Sequence, residues 1–173
     1  MSNTTRRTFT ISMLALLAAC GRPQQASKFQ RYNGPPITQV HINKGQRRMH
    51  LLSGQQVIRS YDVSLGNQPI GHKQFSGDGK TPEGVYFIDR FNPRSAFHLS
   101  VGINYPNEQD RAFAAAHGRD PGGDIFIHGR GPQGNYLFPQ ARDWTAGCIA
   151  VTDQEMEEIY AMLLPHTPVV IRA

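Results

Sequence analysis

The chain has 173 residues, of which 39% are hydrophobic, and a formal net charge of +5 at pH 7. This length is enough for one domain with a substantial core. Without the two arginines of the N-terminal leader, 16 basic residues stand against 13 acidic ones, so the excess falls to +3. No basic run is interleaved with aromatic residues, which argues against nucleic acid as a partner. The small excess would favour an anionic wall polymer or a membrane surface.

The N-terminus predicts a secretory signal peptide over residues 1–19. Arg6 and Arg7 precede an apolar run that is too short to span a bilayer, which takes about 20 apolar residues. The arginine pair also resembles a twin-arginine signal, so either export route stays open. Leu17-Ala18-Ala19-Cys20 resembles a bacterial lipobox, which implies lipid on Cys20 and a periplasmic, membrane-anchored lipoprotein of a bacterial envelope. A soluble periplasmic protein cut nearby is the alternative.

A polar segment follows the leader. Residues 20–35 are rich in Gln, Pro and Gly and predict a flexible tether, with the folded domain over 36–173. Short β-type runs separated by turn residues predict a mainly β fold. Its strands are expected at 37–42, 48–52, 56–65, 85–88, 97–101, 124–128 and 169–171.

Two short helices and a long loop complete the predicted fold. Asn107 would cap a helix over 107–117. Thr152 or Asp153 would cap a clearer helix over 153–164, where apolar residues recur at helical spacing. The glycine-rich stretch 66–83 predicts a long ordered loop, and loops of that length in compact domains are usually functional or disordered.

Cys148 and His128 form the candidate reactive pair. His128 ends an apolar run, Cys148 follows Gly147, and 19 residues lie between the pair. A thiol at its ordinary pKa is mostly protonated at neutral pH, so it needs a base or a positive field to become a nucleophile. If the fold brings the two within hydrogen-bond distance, His128 would be that base. Lipid on Cys20 would leave Cys148 without an intramolecular disulfide partner.

Backbone groups beside this pair are candidates for supporting roles. The glycine before Cys148 permits a tight turn whose N–H groups would point at a developing oxyanion. No Asp or Asn is obvious in the sequence as the group that orients the imidazole, and a carbonyl of the Gly129–Gly131 turn is the candidate.

Several motifs resemble one family. They are His128-Gly129, Thr145-Ala146-Gly147-Cys148-Ile149, Lys80-Thr81-Pro82-Glu83-Gly84, Phe97-His98-Leu99-Ser100, Tyr105-Pro106-Asn107 and the run from Gly122 to Gly129. Together they resemble the L,D-transpeptidase catalytic domain (YkuD-like) family, chiefly its variant murein L,D-transpeptidase/peptidase subfamily. The resemblance covers roughly Pro36 to Ala173.

The resemblance implies a single-domain, L,D-transpeptidase-like fold of β-sandwich or mixed sheets and an acyl transfer on peptidoglycan stem peptides. Cys148 would attack a peptide carbonyl at a D-centre, with His128 as proton acceptor and then donor. The Gly129 carbonyl would orient His128, and the N–H groups of Gly147 and Cys148 would form the oxyanion hole. An amine acceptor gives a cross-link or a protein attachment, whereas water gives hydrolysis. Candidate substrate contacts are His98, Tyr105, Arg130, Arg142, Trp144 and Thr145.

Two positions depart from the family pattern. Ala146 stands where many members have His, and Ala150 stands where many have Arg. The first change leaves His128 as the only base in the motif. The second removes a contact to an anionic substrate group, for which Arg142 or Arg130 would have to substitute. The choice between transfer and hydrolysis therefore stays open, with a murein-linked lipoprotein as a further candidate substrate.

Two other classes of function are compatible with parts of the sequence. One is a non-catalytic, murein-binding lipoprotein, against which the intact Cys148 and His128 argue. The other is an exported thiol oxidoreductase, against which the absence of Cys-x-x-Cys argues. None of the seven histidines lies in a paired i, i+4 arrangement, so neither a metal nor another cofactor is predicted.

Overall fold

The computed structural model describes residues 27–137 and 142–173. The predicted signal peptide, Cys20 and the first part of the predicted tether lie outside the described residues. Within the described residues, eight strands and three helices follow one another: β1 (Gln39–Asn43), β2 (Arg48–Ser53), β3 (Gln56–Asp62), β4 (Gly84–Asn92), β5 (Ser100–Ile103), α1 (Glu108–Ala116), β6 (Phe126–His128), α2 (Gly131–Leu137), β7 (Ile149–Ala150), α3 (Asp153–Met162) and β8 (Pro168–Arg172).

The strands form one mixed sheet in the order β3-β2-β1-β8-β4-β5-β6-β7. β1, β2 and β3 are an antiparallel meander, and β8 pairs in parallel with β1 and antiparallel with β4. The first half of β4 pairs with β8 and its second half with β5, with a register shift between Ile88 and Arg90. A long strand shared in this way, with an irregularity in its middle, lets the sheet curl. The predicted mainly β, single-domain fold is confirmed.

The core lies in the curl of the sheet and under α3. Met156, Ile159 and Met162 repeat at helical spacing and are buried, so one face of α3 packs against the region of β5 and β6. Thr152 is the N-cap of this helix and forms a capping box with Glu155, which decides between the two predicted caps. α1 begins after Asn107, which is its cap as predicted.

The structure differs from the predicted elements at β7, which the sequence did not predict, at α2 and at the start of β5. α2 was not predicted, because Gly131, Pro132 and Gly134 are poor helix formers. Gly134 allows close packing there, since a Cβ at that position would lie 3.0 Å from the Trp144 ring. The strand predicted over 97–101 begins only at Ser100, because His98 has a left-handed backbone with φ of +73°.

Within residues 27–137 and 142–173, no helix has both the length and the apolar character that a membrane crossing requires.

Candidate active site

The parallel pairing of β6 with β7 places the Cys148 and His128 side chains on one face of the sheet. Ile127 pairs with Ile149 and His128 with Ala150, so the residue before β7 lies beside Phe126. Residues two apart on a strand point to the same face, and directly paired residues share a face. Both side chains consequently line one cavity of about 260 Å³.

The Cys148 sulfur lies among backbone groups. The Phe126 N–H donates to Sγ over 3.4 Å, and the thiol donates to the Asp124 carbonyl oxygen over the same distance. Burial raises the pKa of the Cys148 thiol above its ordinary 9.0, and the Phe126 N–H offsets part of that effect. The thiol therefore rests protonated at neutral pH.

The His128 ring is enclosed by aromatic side chains. Its centroid lies 4.7 Å from that of Phe97 and 5.7 Å from that of Trp144, and the residue is only 3% exposed. Burial lowers the pKa of His128 below its ordinary 6.5, and the bond to Gly129 and the Asp153 charge oppose this only in part. The imidazole therefore rests neutral in the same cavity as a neutral thiol, whose hydrogen bond goes to the Asp124 carbonyl oxygen and not to the ring.

The tautomer of His128 is fixed by the backbone. Nδ1 lies 2.5 Å from the Gly129 carbonyl oxygen, and because a carbonyl can only accept, Nδ1 carries the hydrogen. In the neutral ring, Nε2 is then the proton acceptor.

A carboxylate holds the turn behind His128. Oδ1 of Asp153 accepts the Arg130 N–H at 2.7 Å and the Gly131 N–H at 2.8 Å. Only glycine fits at position 129, since a Cβ there would lie 2.5 Å from the same oxygen. No such carboxylate was recognised in the sequence, because Asp153 was interpreted only as a possible helix cap.

The turn before Cys148 is closed by Thr145. Its hydroxyl donates to the Cys148 carbonyl oxygen at 2.7 Å and accepts the Gly147 N–H at 3.1 Å. Gly147 has φ of +138°, and a Cβ there would lie 2.6 Å from the Lys80 carbonyl oxygen. This glycine is therefore needed both for its backbone conformation and for the close approach of the loop 66–83.

An ion pair anchors the start of the same turn. Nη2 of Arg47 lies 2.8 Å from Oδ2 of Asp143, and Nε of Arg47 donates to both carboxylate oxygens at 3.1 and 3.2 Å. The Leu65 N–H also donates to Asp143 over 3.0 Å. Although burial alone would raise the pKa of Asp143, the hydrogen bonds from Arg47 and Leu65 lower it below the ordinary range. The anchor is thus charged at neutral pH.

The predicted substrate contacts separate into three groups. Trp144 and Thr145 line the cavity that contains Cys148. Arg130 and Arg142 line a second cavity of about 570 Å³ together with Ala150. This arrangement places two arginine side chains in the same cavity as Ala150, the position at which the sequence resemblance implies an arginine in other members of the family.

The remaining two predicted contacts lie elsewhere. Tyr105 is buried, packs edge-on against Tyr86 and donates its hydroxyl to the Pro121 carbonyl oxygen at 3.0 Å. His98 pairs with Glu157 at 2.8 Å, and its left-handed backbone turns it away from the neighbouring Phe97. Neither residue is among those that line the Cys148 cavity, and their role as substrate contacts stays a prediction from the sequence. Both belong to motifs near the site, but packing directs their side chains elsewhere.

Several residues of the cavity were not recognised from the sequence. They are Phe97, Gln133, Gly134 and Leu137, three of them on the unpredicted α2. For these four residues, the one sequence feature that could have indicated a place in the cavity was the position of Phe97 next to His98. Over residues 27–137 and 142–173, no cluster of three or more His, Cys, Asp or Glu side chains could hold a metal ion.

The model of the L,D-transpeptidase catalytic domain (YkuD) matches residues 37–171. The chain belongs to this family. YafK of Escherichia coli (strain K12), whose name provisionally classes it as an L,D-transpeptidase, is 28% identical over 158 residues, which cover 87% of the chain and 57% of YafK. The chain thus spans less than two thirds of this relative's length.

Solved structures of a cell shape determining protein and of an L,D-transpeptidase have the same fold. The helical cell shape determining protein Pgp2 from Campylobacter jejuni superposes with a TM-score of 0.61 at 25% identity, covering 82% of the chain and 49% of Pgp2. An L,D-transpeptidase from Mycobacterium smegmatis superposes with a TM-score of 0.53 at 13% identity, covering 81% of the chain and 60% of that protein. The second similarity is evidence for the fold alone.

Proposed function

We propose that the protein is a cysteine acyltransferase of the L,D-transpeptidase type that acts on peptidoglycan stem peptides. The observation that carries this proposal is the shared cavity of Cys148 and His128, in which the Gly129 carbonyl fixes the tautomer that leaves Nε2 as the base. Family membership supports the class of reaction and of substrate.

In the first step, Nε2 of His128 takes the thiol proton while Sγ of Cys148 attacks a carbonyl carbon of the stem peptide. The new S–C bond forms as the carbonyl π electrons move to oxygen. The tetrahedral intermediate then collapses and breaks the C–N bond, and the imidazolium returns its proton to the leaving amine. The result is a thioester on Cys148 and a neutral His128.

The oxyanion of that intermediate needs preorganised donors. We assign this role chiefly to the Cys148 N–H, since the Gly147 N–H donates to the Thr145 hydroxyl in the resting structure. Gly147 would contribute a second donor only if the Thr145 hydroxyl gave up that bond. Thr145 therefore acts on the geometry of the hole as well as on the wall of the cavity.

In the second step, an acceptor attacks the thioester. His128 deprotonates the incoming amine, a new amide forms, and the thiol is regenerated with that proton. Water in place of the amine gives hydrolysis by the same route. The two outcomes differ in the acceptor and not in the acyl-enzyme, so the enzyme is either a transpeptidase or a murein L,D-peptidase.

We assign Trp144 and Thr145 to the wall that meets the acyl donor, and Arg130 and Arg142 to the anionic groups of the stem peptide. The second assignment rests on the cavity that these arginines share with Ala150. A role in cell-wall biogenesis or cell shape is the biological counterpart of this chemistry, as the name of Pgp2 states for that protein. Export, the anchor at Cys20 and a murein-linked lipoprotein substrate remain predictions from the sequence.

The test is incubation of the protein with purified murein tetrapeptides and an added amine, with products identified by mass spectrometry. Loss of the terminal D-Ala with dimers or amine adducts is expected of a transpeptidase. Loss with addition of water, or release of cross-linked peptide or lipoprotein, is expected of a hydrolase. Folded Cys148→Ala protein should give neither. The proposal would be contradicted if tetrapeptide, cross-linked murein and lipoprotein all stay unchanged with wild-type protein whose Cys148 is shown to be reactive by labelling a parallel sample.

A further inference from the structure

Asp153 occupies a position at the start of α3 that helix capping does not explain. Thr152 is the N-cap, and its capping box is completed by Glu155, whose carboxylate accepts the Thr152 N–H at 2.9 Å. The cap is therefore complete without Asp153. Its carboxylate instead points back to the turn that follows β6 and accepts the N–H groups of Arg130 and Gly131.

One peptide group connects this carboxylate to His128. The Gly129 carbonyl oxygen accepts the Nδ1–H of His128 at 2.5 Å, and the Arg130 N–H of the same peptide group donates to Oδ1 of Asp153 at 2.7 Å. A peptide group is planar, so fixing its N–H also fixes the direction of its carbonyl. The carboxylate thereby determines where the acceptor for Nδ1 lies.

The same arrangement affects charge. Hydrogen bonds in a chain polarise one another, so a carboxylate on the N–H side makes the carbonyl a stronger acceptor. The Asp153 charge also raises the pKa of His128 against the opposing effect of burial. Cys148 lines the same cavity as His128, whereas Asp153 and Arg130 meet at the turn that follows β6. The negative charge of Asp153 favours the imidazolium that proton transfer creates.

We propose that Asp153 is a positioning residue for His128, acting through the Gly129–Arg130 peptide group. The inference rests on the proposed function, since it assigns to His128 the role of base for Cys148. The resulting arrangement is a Cys–His pair whose third member acts through the backbone. Position 129 must be glycine, because a Cβ there would collide with Oδ1 of Asp153.

The test compares Asp153→Asn and Asp153→Ala with Glu155→Gln in the full chain. Glu155→Gln removes the same charge from the same helical turn without touching the Gly129–Gly131 turn. Two readouts need no murein: the pH dependence of iodoacetamide labelling of Cys148, read peptide by peptide by mass spectrometry, and the titration of His128 by NMR. Thermal unfolding of each variant reports the structural cost separately.

Asp153→Asn keeps an oxygen acceptor but loses the charge, so the His128 titration should move to lower pH. Asp153→Ala loses both the charge and the acceptor. The rate of Cys148 labelling at neutral pH should fall roughly tenfold or more, because a positioned base contributes a rate enhancement of about 10² to 10⁴ and this variant would lose part of it. Glu155→Gln should lower the unfolding temperature and leave both profiles at wild-type values. If Asp153→Ala does not fold, the titration of Asp153→Asn decides.

Folded Asp153 variants with the labelling and titration profiles of Glu155→Gln would overturn the inference. If the same Asp153 variants still process murein tetrapeptides, the proposed function would stand although the positioning role had failed. Conversely, shifted profiles in a protein that processes no stem peptide would support the positioning role and contradict the proposed substrate.

Discussion

At the residue scale, the chemistry depends on two opposite effects of burial. Burial raises the pKa of Cys148 and lowers that of His128, so both effects favour the neutral pair over the thiolate–imidazolium pair. In the proposed mechanism, the imidazolium forms only as Sγ attacks the substrate carbonyl and the thiol proton passes to Nε2. Such a resting state protects the thiol from oxidation, since the thiolate is the reactive form.

The pH dependence of this pair is a first prediction. As pH falls through the lowered pKa of His128, the base is protonated and labelling of Cys148 should decline, at a pH below the ordinary 6.5. His128→Gln should lower labelling at neutral pH by roughly 10². The labelling rate of this variant should recover only at alkaline pH. Without a base, the buried Cys148 thiol must ionise by itself, and its pKa lies above the ordinary 9.0.

His50→Gln is the matched control, since His50 lies on β2 and its ring hydrogen-bonds the Ser60 hydroxyl, outside the Cys148 cavity. Iodoacetamide labelling across a pH series measures both variants. A neutral-pH rate for His128→Gln equal to that of the His50 control would contradict the role of His128 as base.

At the element scale, the turn that presents Cys148 is specified by contacts from other parts of the chain. Thr145 is bonded to both sides, its N–H donating to the Leu65 carbonyl at 3.1 Å and its carbonyl accepting from Asn67 at 2.9 Å. Asp143 is anchored to Arg47 at the same turn. The sulfur is therefore positioned by β-sheet neighbours and by the loop 66–83 as much as by its own sequence.

A substitution at Gly147 tests that account. Gly147→Ala introduces a Cβ 2.6 Å from the Lys80 carbonyl oxygen at a φ of +138°. We expect a loss of stability on the order of 1 to 3 kcal/mol from the strained backbone and a marked loss of Cys148 labelling, because the turn must move.

Gly54→Ala is the control for backbone strain alone. Gly54 also has a positive φ, of +59°, but no atom lies within 4 Å of the added Cβ. It should lower the unfolding temperature slightly and leave labelling unchanged. Equal labelling rates in Gly147→Ala and Gly54→Ala, measured with thermal unfolding, would show that the loop contact does not position the sulfur.

At the scale of the whole molecule, the sequence indicated the main elements and the reactive pair but not the contacts that complete the site. Local signals could be predicted directly from the sequence, and they include the strand runs, the Asn107 cap and the apolar spacing of α3. The role of Asp153 depends on the meeting of α3 with a turn more than 20 residues earlier, which no local pattern records.

The contrast between local signals and long-range contacts also explains the other differences between the predicted and the observed structure. α2 contains weak helix formers, and its Gly134 lies close to the Trp144 ring, a tertiary contact that local helix propensity does not include. The bond from the Gly147 N–H to Thr145 could not be inferred, since a hydroxyl has several local partners to choose from. His98 and Tyr105 stand in motifs beside the site, yet neither side chain lines its cavity.

The central claim is that Cys148 carries the acyl group, and it is most directly tested by trapping. The protein is incubated with murein tetrapeptide, quenched in acid and digested, and the peptides are mapped by mass spectrometry. We predict an adduct with the mass of the tetrapeptide donor lacking its terminal D-Ala, on the peptide that contains Cys148, and no adduct in Cys148→Ala. An adduct on another residue, or continued turnover by folded Cys148→Ala, would contradict the account.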